Sequence, residues 1–193
     1  MDRALLQQLD ELSRFGQDND ARETARPRRM LNITPETGRL LWLLVKATAA
    51  ARVLELGTSN AYSTIWLADA ARLVGGSVTT LELDPGKVEL ARSSLARAGL
   101  LEHVEIIPGR AADSLAALAG PFDLVFLDAD RESYLGYLAS IVPILRSGGL
   151  LVTDNATSHA HELAGFLAAV ESHPQLFAVT LPIGNGEQVA VKH

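Results

Sequence analysis

The 193-residue chain contains no cysteine. That absence removes disulfides, thiolate nucleophiles and cysteine-ligated zinc or iron–sulfur sites together, so any metal has to be held by oxygen or imidazole. A cysteine-free composition is what a cytoplasmic protein is expected to show. A basic excess is also missing: 17 Lys and Arg face 23 Asp and Glu, a formal net charge of −6. Counterion release from nucleic acid therefore lacks its usual driving charge. No apolar run approaches the roughly 20 residues that span a bilayer, the longest lying near Leu40 to Val45 and Asp123 to Leu127. The opening MDRALLQQLDELSRF carries acids throughout and is expected to be neither signal peptide nor membrane anchor. There is no internal repeat and no low-complexity tract. What remains, 48% hydrophobic and 21% charged, is an ordinary globular balance, and residues 1–193 are expected to form one domain.

Leu5, Leu6, Leu9 and Leu12 recur at helical spacing. This apolar helix suggests packing on another subunit, hence a homodimer. The polar stretch GQDNDARETARPRR, residues 16–29, reads as a flexible segment that orders on ligand binding. Thr34 and Pro35 then open a helix whose stripe is Leu40, Leu41, Leu44 and Val45. Beyond it, short β-rich runs begin at residues 52, 77, 103, 122, 149, 177 and 188. Helix-length segments separate them at 62–72, 85–98, 131–145 and 159–172. The alternation predicts βαβ crossovers, so the fold class is α/β: a doubly wound, mostly parallel seven-stranded sheet with helices on both faces, Rossmann-like. Ligands in such sheets bind beyond the carboxyl ends of the strands, near the switch point.

The first strand runs into Glu55-Leu-Gly57-Thr-Ser59-Asn-Ala61-Tyr-Ser63, where small residues permit a tight turn and close approach of a ligand to a helix N-terminus. The full G-x-G-x-x-G spacing of dinucleotide sites is absent, and a glycine turn after a strand is also common for structural reasons alone. The second strand ends at Glu82, where a carboxylate would accept hydrogen bonds from both ribose hydroxyls; a solvated strand-end acid is the plainer reading, and Asp84 competes. The fourth strand delivers Asp128-Ala-Asp130 and the fifth Asp154-Asn155. Adjacent parallel strands would bring Asp128, Asp154 and Asn155 to one edge as an oxygen-only set suited to Mg²⁺, Mn²⁺ or Ca²⁺. Capping of the following helices is the alternative.

Taken in order, VLELGTSNAYS, LELD, FDLVFLDAD, GGLLVTDN and LPIGNGEQV resemble the motifs of the class I O-methyltransferases of the catechol and caffeoyl-CoA type, the small bacterial members above all. The resemblance covers roughly residues 30–192. It implies an enzyme that uses S-adenosylmethionine and a divalent cation, usually magnesium, to methylate a hydroxyl of a small aromatic ortho-diol or related chelating phenol. It further implies that Glu55, Gly57, Thr58 and Ser63 hold the amino-acid end of the cofactor, that Glu82 binds the ribose, and that Gly109-Arg110-Ala111 meets the adenine. Asp128, Asp154 and Asn155 match the family's metal ligands, and Met30 to Thr34 its lid. Two departures stand out. Arg131 replaces the lysine thought to accept the substrate proton; permanently charged, it is no ordinary base, though it can stabilise an oxyanion. That leaves water, Asp130, His159 or His161 to take the proton, unless Arg131 only starts a helix facing solvent. Ala61 replaces a frequent glycine and is tolerated if its backbone angles are ordinary. A variant reading is O-methylation of a hydroxylated base in tRNA, favoured if Arg22, Arg26, Arg28 and Arg29 form a basic patch. A nucleotide-dependent oxidoreductase explains Gly57 and Glu82 but not the acid set, and a non-catalytic cofactor-binding module is the bland alternative.

Overall fold

The computed structural model describes residues 1–193. Seven strands form one sheet in the order β3-β2-β1-β4-β5-β7-β6. They are β1 (Arg52–Leu56), β2 (Ser77–Glu82), β3 (Val104–Pro108), β4 (Phe122–Leu127), β5 (Leu145–Thr153), β6 (Leu176–Leu181) and β7 (Glu187–Lys192). The first five are parallel, and β7 runs antiparallel to both β5 and β6. Strand order reverses between β1 and β4, which places the switch point at the strand ends that carry Gly57 and Asp128.

Period-two alternation divides the strand side chains between two cores. Val53, Val78, Ile106, Leu124, Phe126, Leu150 and Val152 face α1 (Arg3–Arg22), α2 (Pro35–Thr48), α3 (Tyr62–Arg72) and α4 (Pro85–Arg97). Leu54, Leu56, Leu81, Val125, Leu127 and Leu151 face α5 (Ala111–Ala117), α6 (Tyr134–Ile144) and α7 (Ala160–Glu171). Both faces are covered, as a sheet of near-continuous apolar strands requires. No helix is long and apolar enough to cross a membrane.

Three expectations need correction. The segment 16–29 is not a loose linker: α1 continues through it to Arg22, and Arg26–Arg28 form a 3-10 turn. Three of its polar side chains, Asn19, Asp20 and Arg22, bind backbone. Asp20 accepts from the N–H groups of Met30 and Leu31 at 2.6 and 2.8 Å, and Asn19 Nδ2 donates to the Arg28 carbonyl at 3.0 Å. Gly16 admits the Asn32 side chain where a Cβ would lie 2.4 Å from its Nδ2. The leucines of α1 also serve this chain's own core: Leu5, Leu9 and Leu12 are at most 6% exposed, each burial contributing roughly 1.5–3 kcal/mol. Leu6, the fourth leucine of that stripe, stays 45% exposed. Finally, α5 lies in a stretch where no helix was expected, and β5 starts four residues early, at Leu145.

Candidate active site

The carboxyl ends of β1, β2, β4 and β5 open into one cavity of about 920 Å³, near the top of the usual range for small-molecule sites, roughly 300–1,000 Å³. Its lining includes Gly57, Thr58, Ser63, Glu82, Ala111, Asp128, Arg131, Asp154 and Asn155. All but one of the residues assigned from the sequence to cofactor, metal or oxyanion therefore line a single space. The exception is Glu55.

Glu55 is fully buried behind the cavity wall. Its carboxylate accepts from Ser63 Oγ at 2.6 Å, Thr64 Oγ1 at 2.6 Å and Thr80 Oγ1 at 2.7 Å. Burial raises its pKa to about 7 despite these three donors. The direct ligand contact expected of Glu55 is not what this geometry offers; it orients Ser63, which does reach the cavity. At the start of α3, Asn60 Oδ1 occupies the Tyr62 N–H and no side chain caps the helix. The uncapped N-terminus beside Ser63 suits an anion such as a carboxylate.

Glu82 is 8% exposed and ties the turn together. Its Oε2 accepts from the backbone N–H groups of Thr58 and Ser59 at 3.2 and 2.8 Å, and Oε1 accepts from Asp84 at 2.9 Å. Three acceptor positions of about four are filled, which leaves room for a ligand hydroxyl. Gly57, at φ +97°, is required by space as well as by conformation, because a Cβ there would lie 2.1 Å from the Asp128 carbonyl oxygen. Ala61 sits at φ +67°, so the ordinary angles assumed for it do not hold; alanine carries the strain glycine would avoid.

The two acids come together as adjacent strands dictate. Leu127 pairs with Thr153 in the β4–β5 register, so Asp128 and Asp154 follow side by side. Desolvation, then Asp154, then Glu55 push the Asp128 carboxyl well above the ordinary range. Burial likewise raises Asp154. Arg131 opposes both shifts. Its side chain is 10% exposed and its Nε donates to Glu162 of α7 at 2.8 Å, so it faces the acids rather than solvent. Asn155, at φ +67°, donates from Nδ2 to Asp154 Oδ2 at 2.6 Å while its Oδ1 accepts from Ser158. His159 reaches the cavity wall and His161 does not.

One functional residue was missed. Glu187, at the start of β7, is fully buried, accepts from Thr37 Oγ1 at 2.7 Å and contacts Asp154. Burial and the neighbouring acids push it up to about 10, so it carries a proton that it donates to Asp154. Asp154 Oδ1 and Glu187 Oε2 have no other partner. The acid in LPIGNGEQV was in plain view, but a carboxylate at a strand start is ordinarily solvated.

Comparison with known proteins bears on this arrangement. The family described as O-methyltransferase matches residues 7–185. The chain belongs to that family. It is 44% identical over 138 residues to a catechol O-methyltransferase of Mycobacterium tuberculosis, covering 71% of this chain and 60% of the relative. It is 41% identical over 129 residues to a catechol O-methyltransferase of Niastella koreensis, covering 65% and 58%. The chain thus spans about three fifths of the length of these two relatives. Among solved structures, an O-methyltransferase from Bacillus cereus in complex with SAH superimposes with a TM-score of 0.81 at 28% identity, covering 97% of this chain and 91% of that one.

Proposed function

We propose that this chain transfers a methyl group from S-adenosylmethionine to a hydroxyl of a small aromatic ortho-diol or related chelating phenol, with a divalent cation, magnesium first, at Asp128, Asp154 and Asn155. The observation that carries the reading is the pair of desolvated carboxylates, Asp128 and Asp154, in one cavity with Glu82 and Ser63. Two acids pressed together cost free energy unless a cation offsets them. Arg131 neutralises them only in part, being bonded to Glu162. Asp154 Oδ1 is buried without a donor other than the Glu187 proton. No three or more His, Cys, Asp or Glu groups cluster as a metal site, so a cation here draws on the Asn155 carboxamide as well as the two acids, an oxygen set that fits Mg²⁺, Mn²⁺ or Ca²⁺. A half turn of the Asn155 amide exchanges its oxygen and nitrogen, with Ser158 Oγ then accepting.

When bound, the cation would supply the charge that lowers a hydroxyl pKa and the cofactor the methyl group, the hydroxyl proton leaving as the oxygen takes it. The chain's own groups do the rest. Ser63 and the uncapped amides of α3 would receive the cofactor carboxylate, Glu82 would accept from a ribose hydroxyl, and the Gly109–Ala111 turn would hold the adenine. Thr58 and Gly57 line the turn between them. Arg131, held by Glu162, stabilises the developing oxyanion without removing its proton. That proton goes to water or to His159, the histidine on the cavity wall. Catalysis is then chiefly proximity and orientation.

Methyl transfer to catechol, measured with and without chelator, tests this reading. Asp154→Ala is expected to abolish divalent-dependent transfer while cofactor binding by calorimetry persists; full activity of that variant in chelator would refute metal assistance. Binding of NAD in place of S-adenosylmethionine would favour the oxidoreductase reading instead.

A further inference from the structure

Asp154 lines the cavity, but the polar groups packed behind it do not. In the antiparallel β5–β7 register Thr153 pairs with Gln188, so Asp154 and Glu187 follow as neighbours across the two strands. Glu187 is fully buried, and so is Thr37, the third residue of α2. Thr37 Oγ1 donates to Glu187 Oε1 at 2.7 Å. The Thr34 hydroxyl lies 3.2 Å from Thr37 Oγ1, whose one proton is already committed to Glu187, so Thr34 is the donor there; its oxygen also accepts from the Thr37 N–H at 3.1 Å. The hydroxyl protons thus point one way, from the N-cap of α2 to the carboxyl on β7. Gly184, in the turn between β6 and β7, closes over this line: a Cβ there would lie 2.3 Å from Thr37 Oγ1 and 2.5 Å from Thr34 Oγ1.

The line ends on Asp154. Asp154 Oδ2 accepts from Asn155 Nδ2 at 2.6 Å, and Glu187 Oε1 is taken by Thr37. The contact between the two acids therefore falls to Asp154 Oδ1 and Glu187 Oε2, both buried and both without any other partner. Oδ1 is thereby held inside the wall. Only Oδ2, beside Asn155, is left for the cavity, and a half turn of the Asn155 amide would clear it of its present donor. A carboxyl buried beside another acid does not stabilise the fold, so stability alone gives no reason for Glu187.

We infer that Thr37 and Glu187 are positioning residues for the cation: they clamp Asp154 so that it presents one oxygen, and the site thereby favours Mg²⁺ over Ca²⁺. This rests on the proposed cation at Asp128, Asp154 and Asn155 and adds what selects it. Mg²⁺ demands near-octahedral geometry, is bound through one or two carboxylates and keeps several waters. Ca²⁺ takes roughly six to eight oxygens and often draws both from one carboxylate. A carboxylate with one oxygen committed elsewhere cannot supply the second. Hydrogen-bond partners behind a metal ligand typically change metal affinity by about ten- to a hundredfold.

The test is calorimetric titration of MgCl₂ and of CaCl₂ into the full-length, SAH-loaded protein at one pH, giving the ratio of the two affinities for the parent, T37V, E187Q and E187L. Gln restores both hydrogen bonds of the clamp, Leu removes both, and Val removes the Thr37 donor alone. E187L is expected to lower the Mg²⁺-to-Ca²⁺ affinity ratio about tenfold or more, T37V to lower it by a smaller factor, and E187Q to keep it within about twofold. SAH affinity in chelator should be the same in every variant, since neither altered side chain lines the cavity. An unchanged ratio in E187L, or in T37V should E187L not fold, would overturn the clamp while leaving the cation standing. A fall in E187Q as large as that in E187L would trace the effect to charge rather than to the hydrogen bonds, and would overturn it too. Absence of binding by either cation in the parent would instead refute the cation itself, and the clamp with it.

Discussion

Glu187 offers the sharpest physical test. A carboxyl whose pKa is about 10 in the folded chain and 4.5 by reference must take up a proton on folding at every pH between those values. The folded state then binds one more proton than the unfolded state, and stability falls as pH rises across that window, by about 1.4 kcal/mol per unit for one proton. Below 4.5 both states are protonated and the penalty vanishes; above 10 it reaches its limit. At pH 8 the accumulated cost is on the order of 5 kcal/mol, an upper bound because the proton is shared with Asp154. Glu187→Gln keeps the shape and supplies an N–H donor to Asp154 and an oxygen acceptor for Thr37 with no proton to take up. Urea unfolding in chelator at pH 6, 7, 8 and 9 should therefore show the variant more stable than the parent at pH 8, by a margin that widens with pH. Parallel pH dependences for the two proteins would show that Glu187 is ionised in the fold and refute the reasoning.

Three further outcomes follow from the geometry. Gly57→Ala should cost about 3 kcal/mol or more in chemical denaturation and abolish cofactor binding, because its Cβ meets the Asp128 carbonyl at 2.1 Å at a strained φ; a well-folded variant with unchanged affinity would contradict the close approach. Ala61→Gly should stabilise the protein by up to about 1 kcal/mol in the same assay, by relieving the left-handed backbone; a loss of stability would mean that the position is not strained. Arg131→Lys should retain or raise catechol turnover, since an ammonium can serve the oxyanion and also exchange a proton. A large loss there would assign a specific task to the guanidinium held by Glu162.

Much of this arrangement is legible in the residues. Short β-rich runs separated by helix-length segments give all seven strands, with the carboxyl ends of the first, second, fourth and fifth carrying Gly57, Glu82, Asp128 and Asp154 where parallel register brings them together. What escapes is whatever depends on partners distant in sequence. Residues 16–22 look like a linker because they are polar, yet Asn19 and Asp20 are helical with their side chains bonded to backbone ten or so residues on. The seven-residue helix AADSLAA buries only Leu115 and leaves almost no periodic signal. Glu55 and Glu187 look like ligand-facing or surface acids, and only the surrounding Ser63, Thr64, Thr80 and Thr37 hydroxyls reveal them as internal supports.

The contact between Gly57 and the backbone of Asp128 joins the cofactor turn to the acid strand with no side chain between them. That seam makes the floor of the cavity a single slab of sheet, in which the two reacting ends keep a fixed spacing. Above it, the Arg26–Asn32 crossing is secured by a few polar bonds. Added bulk at this seam would therefore disturb the cofactor turn and the acid strand at once, whereas a change in the crossing would remove one polar bond at a time.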